Sequence, residues 1–475
     1  MRQKVLKLFA ANTFSYLLVG LSFIVYSRLL SPAEFGTYGT AFAVATMLSL
    51  VLDGGIKTTI IKMQREVTDA EEATALWLML LAAIVITASF YKLQWLILRW
   101  RPQISHDYRF VVAFVGASLI FYPLVTLPTA RLERRLSYGH IAWIESIGML
   151  LERGAPALIL LWFQTGVYSF LWALLLSRIF RVVALSRFHR CAVWLASFRH
   201  VSQALHLLRE GSWIQLGNLS SVARDNLHVW MLGPFFGNEW IGMYAWALQV
   251  CQISSQVFAQ ISARVALPVF ANGGSFEDCW PKCLLQIRLL TILTGPVLCG
   301  VWLVLPALNA SLFHGKWAPA LVLIPLLFFR MLPGLATTPL GPLIMVHGGG
   351  YVYAKVGWLW TVVEVACAAF CIAILGPIGL AWSYAIVVWV GLWLMLRALG
   401  RTGDGLTKQL MGQIFGRPSL YFAMASVVSL SILLKNADSA YSNNVFFLCI
   451  LACTVVLSSY LLEPDVRQFI KHEEA

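Results

Sequence analysis

The chain has 475 residues, 59% hydrophobic and 12% charged, with a mean hydropathy of +0.75. A soluble domain carries about 25% charged residues, so the composition excludes a water-soluble enzyme or binding module, and most of this surface must face lipid. A net charge of +13 therefore does not imply nucleic acid; it asks on which side of a bilayer the Lys and Arg lie.

A helix needs about 20 apolar residues to cross the hydrocarbon. Met1-Arg-Gln-Lys precedes an apolar run from Leu6 to Leu30, too long for a signal h-region, and is expected to remain as a first helix. Six spans are predicted over 7–29, 37–61, 74–98, 109–130, 141–163 and 166–186. Six more follow at 213–236, 239–270, 284–306, 319–346, 353–375 and 377–399, and a last pair at 419–435 and 444–462, fourteen in all. The fold class is all-α and polytopic. Residues 1–186 and 213–400 form six-helix bundles, 187–212 a basic amphipathic cytoplasmic linker, and 401–475 two extra helices with a tail. Gln164-Thr-Gly166 and Gly376-Pro377 read as tight turns between antiparallel neighbours. Gly54-Gly55 marks a hinge in span two, and Pro333, Gly334, Pro339, Gly341 and Pro342 are expected to break span ten.

The halves repeat. Gly36, Tyr38, Ala41, Val44, Ser49 and Val51 meet Gly242, Tyr244, Ala247, Val250, Ser255 and Val257 at a constant offset of 206. Upstream, Asn12 and Ser15 meet Asn218 and Ser221. One gap-free register of this kind indicates two structurally equivalent halves.

Loop charges orient the chain. With the N-terminus cytoplasmic, the inner segments hold twenty Lys and Arg and the outer ones five, which puts both termini inside. The nine cysteines, three pairs of them four apart, have no accompanying metal-ligand spacing and read as small apolar residues. No Gly-x-x-x-x-Gly-Lys loop is present, so ATP hydrolysis is not indicated.

Ionisable groups inside spans are the informative residues, at about 2.5–3.5 kcal/mol each on insertion scales. Six are expected near mid-depth: Glu152, Arg153, Arg224, Asp225, Arg330 and Glu364. Facing lipid they would cost on the order of 15–20 kcal/mol together, so they face one another or water. Span seven shows Asn218, Ser221, Asp225 and His228 on one helical face, and span five Glu145, Gly148 and Glu152. Arg224 and Asp225, being adjacent, point about 100° apart and need separate partners. Toward the cytoplasmic ends lie Asp53, Lys57, Glu145, Arg178, Arg181, Arg264 and Arg288, a vestibule suited to a phosphorylated headgroup or cations snorkelling to lipid phosphates.

Arg28-Leu-Leu-Ser-Pro-Ala-Glu-Phe-Gly-Thr-Tyr38, Asp53-Gly54-Gly55, Leu232-Gly-Pro-Phe-Phe-Gly-Asn-Glu-Trp-Ile-Gly-Met-Tyr244, Pro268 and Leu312-Phe-His-Gly-Lys-Trp317 together resemble the Wzx-like polysaccharide flippases. These are a bacterial branch of the multidrug/oligosaccharidyl-lipid/polysaccharide exporter superfamily. The resemblance covers roughly residues 1–400 and implies two six-helix bundles in a V around a cavity. It further implies a substrate of oligosaccharide on undecaprenyl diphosphate, moved between leaflets of the bacterial cytoplasmic (inner) membrane. Membrane lipids, and a polymerase and glycosyltransferases of the same pathway, are the partners on this reading, with the chain a monomer. A cation-coupled exporter of organic cations and a non-transporting scaffold for polymer assembly remain as alternatives. No cofactor is expected; Asp225, Glu152 or Glu364 would carry a coupling H+ or Na+.

Overall fold

The structure, a computed structural model, describes residues 18–62, 67–100, 106–134, 138–163, 165–188, 195–197, 200–271 and 274–399. Among these residues the regular structure is helical throughout. Predicted spans thirteen and fourteen, the start of the first span, and residues 189–194 and 198–199 of the linker lie outside the described residues. Eight described helical stretches are long and apolar enough to cross a membrane, so the predicted total of fourteen is not established by them.

Helix α1 is described over Leu18–Leu29. Ser31 then starts α2 (Pro32–Asp53) with a reciprocal cap: its hydroxyl accepts from Glu34 N (3.3 Å) and its own N–H donates to the Glu34 carboxylate (2.9 Å). Proline at the first helical position loses nothing there, because that N–H has no helical acceptor. Gly54 and Gly55, at φ +52° and +82°, end α2 and open α3 (Ile56–Lys62). The interruption expected in span two at Gly54-Gly55 is therefore present.

The next elements are α4 (Asp69–Trp100), α5 (His106–Ser118) and α6 (Phe121–Arg134). Predicted span four is thus two helices, parted at Leu119-Ile120. Predicted span five is also compound: α7 (Tyr138–Met149), a π-helical turn (Leu150–Gly154) and α8 (Ala155–Phe163). Helix α9 (Tyr168–Phe188) follows the turn at Gly166. Helix α10 (Val201–Asp225) corrects the linker: residues 201–212 continue straight into the helix that carries Arg224. Helix α11 (Leu227–Ala271) contains a kink at Gly237, φ +81°.

Span ten is corrected as well. Helix α13 (Ala318–His347) runs unbroken through Pro325, Pro333, Pro339 and Pro342. Each proline removes one backbone donor, but a membrane helix buried against neighbours tolerates the loss, and α12 (Phe276–Ser311) and α15 (Gly379–Ala398) both pack on α13. Helix α14 (Gly349–Leu375) reaches α15 through the expected turn, a 3-10 segment over Gly376–Ile378.

Packing divides the described residues into two units, one within 18–245 with 353–365 and one within 246–352 with 366–399. This division differs from the boundaries at 186 and 213 drawn from the sequence. In the first unit, α10 lies against α2 and α3: Gln215 Nε2 donates to Leu50 O at 2.8 Å, and Gly55 and Gly211 meet backbone to backbone. The same unit holds a contact between repeat partners. A Cβ on Gly36 would collide with Asn238 O, and one on Gly242 with Pro32 O. Pro32 and Asn238 are themselves 206 apart, as are Gly39 and Ala245, whose Cβ atoms would be 3.1 Å apart. The duplicated segments therefore cross about a local two-fold through Gly36 and Gly242. In the second unit, Trp246 and Trp317 stack at 4.9 Å, both fully buried, with the edge of Phe313 against Trp246.

Arg131, which orientation rules alone would leave on a wet inner loop, is buried. Its Nε donates to Glu72 Oε2 at 2.7 Å and its Nη2 to Val67 O at 2.6 Å, tying α6 to the start of α4. Arg131→Ala leaves the buried Glu72 carboxylate without its guanidinium, a loss of about 3–5 kcal/mol. Thermal unfolding in detergent should show it. Arg131→Met combined with Glu72→Leu, removing both charges, is expected to recover most of the melting temperature.

Candidate functional site

The first unit gathers charge around the π-helical turn. Such a turn inserts one extra residue into a helix, so side chains beyond it rotate off the regular stripe, a device frequent at functional sites. Here it carries Glu152 and Arg153. Facing it, α9 brings Arg178 and Arg181 one turn apart on one side of the helix. Arg181 Nη2 lies 3.1 Å from Glu152 Oε2, and Ser177 Oγ donates to Gly148 O (2.8 Å) and to Glu152 Oε2 (3.5 Å). Arg181 can lie across α7 because residue 148 is glycine; a Cβ there would strike its side chain. Arg153 stands 5.7 Å from the Phe42 ring centre.

Beside this cluster is a cavity of about 130 Å³, lined among others by Tyr38, Phe42, Thr46, Ser49, Glu152 and Arg178. Three guanidiniums act on one carboxylate, so the cluster keeps a net positive charge. Moreover, Arg178 Nε and Arg181 Nε are buried donors with no hydrogen-bond acceptor among the described residues. Buried N–H groups of this kind are rare in a finished interior. A second anion at the cavity wall would satisfy them, and guanidinium geometry favours phosphate or carboxylate oxygens.

The other predicted pair is of a different kind. Arg224 and Glu364 come together, Nε to Oε2 at 3.8 Å, with exposures of 7% and 2%. Arg224 Nη1 donates to Gly357 O (2.8 Å) and Thr361 Oγ1 (3.0 Å), and the guanidinium lies 4.2 Å from the Trp360 ring centre. Helices α10 and α14 approach this closely because Gly217 and Gly357 give way, to Tyr353 and Ser220 respectively. Each charge of the adjacent pair Arg224 and Asp225 does go its own way: Asp225 is exposed at the end of α10. Arg224 and Glu364 sit in packed surroundings, away from the cavity wall.

Of the remaining candidates, Asn218 Oδ1 is 3.5 Å from Tyr353 Oη, and His228 is buried with its ring stacked on Tyr244 at 6.4 Å. Arg330, in the second unit, covers the Tyr384 ring at 4.2 Å. Glu145 acts electrostatically on Arg181 and so belongs to the edge of the arginine cluster. Lys57 is paired with Glu133 at 2.8 Å and Asp53 is buried at the α2–α3 joint. The side chain of Arg264 lies outside the described residues. Reasoning from sequence separated Arg178 and Arg181 from Glu152; the face Glu145-Gly148-Glu152 was the signal that joins them, because its glycine makes room for an arginine. No group of three or more His, Cys, Asp or Glu able to hold a metal occurs among the described residues.

Helical spans, an internal duplication and a charged internal cluster are features of a multi-pass membrane protein. Residues 25–322 match the family described as polysaccharide biosynthesis protein, and the chain belongs to it. It is 20% identical to the teichuronic acid biosynthesis protein TuaB of Bacillus subtilis (strain 168), over 87% of this chain and 85% of that one. It is 21% identical to the lipopolysaccharide biosynthesis protein WzxC of Escherichia coli (strain K12), over 69% and 67%. Among solved structures it is similar to the lipid II flippase MurJ in an inward closed conformation, with TM-score 0.72, 13% identity, and coverage of 96% and 98%. It also resembles an inward-facing multidrug resistance MATE transporter, with TM-score 0.58, 16% identity, and coverage of 83% and 96%. Both show the fold.

Proposed function

We propose that this protein flips an oligosaccharide linked to undecaprenyl diphosphate across the bacterial cytoplasmic membrane, for assembly of an exopolysaccharide, capsule or O-antigen. The observation that carries the reading is the arginine cluster beside the cavity: Arg178 and Glu152 line it, Arg181 and Arg153 also act on Glu152, and two buried guanidinium N–H groups lack acceptors among the described residues. A diphosphate supplies the acceptors and the negative charge. Glu152 holds Arg181 while the site is empty and gives it up when a phosphoryl oxygen takes its place. Tyr38, Thr46 and Ser49 on α2 offer a ring face and hydroxyls to the sugars, and the prenyl tail stays in lipid. Release follows when the cavity opens to the other leaflet, by alternating access. Names of the relatives support the substrate class: teichuronic acid, succinoglycan and lipopolysaccharide are all surface polymers. Organic cations would meet the surplus of guanidinium in the cluster beside this cavity and be repelled, which disfavours the multidrug reading. The twenty-to-five bias of inner over outer Lys and Arg supports cytoplasmic termini, on the side where a polymerase and glycosyltransferases of the pathway would be the natural neighbours of a single-chain transporter.

Binding tests the reading. Undecaprenyl diphosphate at a hundred times its dissociation constant should stabilise the purified protein by about 2.7 kcal/mol, seen as a raised melting temperature. Undecaprenol should not, and Arg178→Ala with Arg181→Ala should lose the effect. Equal stabilisation by undecaprenol, or an undiminished effect in the double variant, would remove the diphosphate site.

A further inference from the structure

One carboxylate fits neither the arginine cluster nor the Arg224–Glu364 clamp. Asp53 is 6% exposed. Its Oδ2 accepts from Gly55 N at 3.3 Å, and its buried Oδ1 has no hydrogen-bond partner among the described residues. The charged and titratable groups that act on it are Lys57 on α3 and Glu133 on α6, and Tyr122 of α6 feels its charge in turn. Lys57 and Glu133 neutralise one another at 2.8 Å. Helix α10 presents Gly211 and the uncharged Gln215 to this joint. An ionised Asp53 would therefore be a buried anion without a counter-charge of its own, a costly arrangement that a single proton removes.

The position is as telling as the burial. Asp53 is the last residue of α2, directly before the two left-handed glycines. The joint is held against α10 by the Gly55–Gly211 backbone contact and by Leu50 O, which receives both Gly54 N–H (3.3 Å) and Gln215 Nε2–H (2.8 Å). Ile56 and Ile60 of α3 are also buried in one core cluster with Ala204 of α10, so the left-handed glycines are the points where the backbone at this joint is free to rotate.

We propose that Asp53 is a proton-binding site of this protein and that its proton decides whether the α2–α3 joint stays packed on α10. With the proton bound, the neutral carboxyl is compatible with the packed joint seen here. When the proton leaves to solvent, the carboxylate requires water, and the joint parts from α10 to admit it. Loss of the proton and parting of the joint go together, so packing is favoured as pH falls and lost as pH rises. This inference does not depend on which substrate the cavity takes.

Hydrogen exchange of the segment 50–62 in lipid nanodiscs, followed from mildly acid to mildly alkaline pH and corrected for intrinsic exchange, tests it. Protection of the amides of Gly54 to Thr59 in the wild type should fall with rising pH, by up to about tenfold per pH unit, the limit for one proton. Asp53→Asn, a neutral isostere, should stay protected throughout. Asp53→Glu should keep the pH dependence. Lys57→Met, which removes the nearby cation, should move the transition to higher pH. Constant protection in wild type, or an unchanged pH profile in Asp53→Asn, would overturn the proposal, and the wild-type arm stands whether or not the variants fold.

Discussion

Leucine at Gly36 or at Gly242 is expected to abolish polymer export while the protein still reaches the membrane. Even the first carbon of a side chain at either position would sit on the backbone of the opposite segment, Asn238 in one case and Pro32 in the other. Backbone cannot rotate out of the way as a side-chain tip does, so the crossing must spread. Overpacking typically costs about 1–3 kcal/mol, and a backbone collision lies at the upper end; about 3 kcal/mol against the closed crossing shifts its population by more than 100-fold. Both variants strike the same contact because the duplicated segments meet through equivalent residues. They should therefore fail alike, and combining them should add little. Gly39→Ala, with its neighbour Cβ at 3.1 Å, should be milder. Complementation of a deletion strain, with protein level in the membrane as the control, reads the outcome; full export by Gly36→Leu would show that the crossing is not needed closed.

The second large effect is expected at the arginine cluster. Hydrogen bonds to charged groups contribute about 1.5–3 kcal/mol each. Removing Arg178 and Arg181 together should reduce export at least about 100-fold, while each single change should cost about tenfold or more. Glu152→Gln should act in the other direction on binding. It frees Arg181 from its internal partner, so undecaprenyl diphosphate binds more tightly and leaves more slowly, and turnover falls despite higher affinity. Equal behaviour of Glu152→Gln and Arg181→Ala would argue that the cluster merely holds α7 and α9 together.

Much of this architecture could be read from the chain. Apolar runs bounded by Ser31-Pro32, Gly166 and Gly376-Pro377 located most helices, because caps and turns are local chemistry. The repeat register through Gly36 and Gly242 was visible too, though not that the two glycines touch each other. What stayed hidden depends on packing between helices. Pro333 and Pro339 looked like breaks, yet α13 continues because its neighbours support it. Residues 201–212 looked like a surface segment because Arg209 and His206 are polar, yet helix geometry carries them into α10. The π-helical turn at Glu152 has no composition signature. Arg224 and Glu364 were both singled out, but only their meeting across Gly217 and Gly357 shows that they clamp α10 to α14. Within the arginine cluster, Glu152 was legible as a charge out of place, whereas Arg178 and Arg181 read equally as a vestibule for a phosphorylated headgroup and as cations snorkelling to lipid phosphates.

The most direct measurement is flipping by the purified protein in proteoliposomes that contain a fluorescent oligosaccharide on undecaprenyl diphosphate. Label reaching the outer leaflet is scored by its loss to a membrane-impermeant quencher. Wild-type vesicles should expose the label far faster than protein-free vesicles, and vesicles carrying Arg178→Ala with Arg181→Ala should resemble the protein-free ones. Wild-type vesicles no faster than empty ones, or a double variant as fast as wild type, would contradict the account.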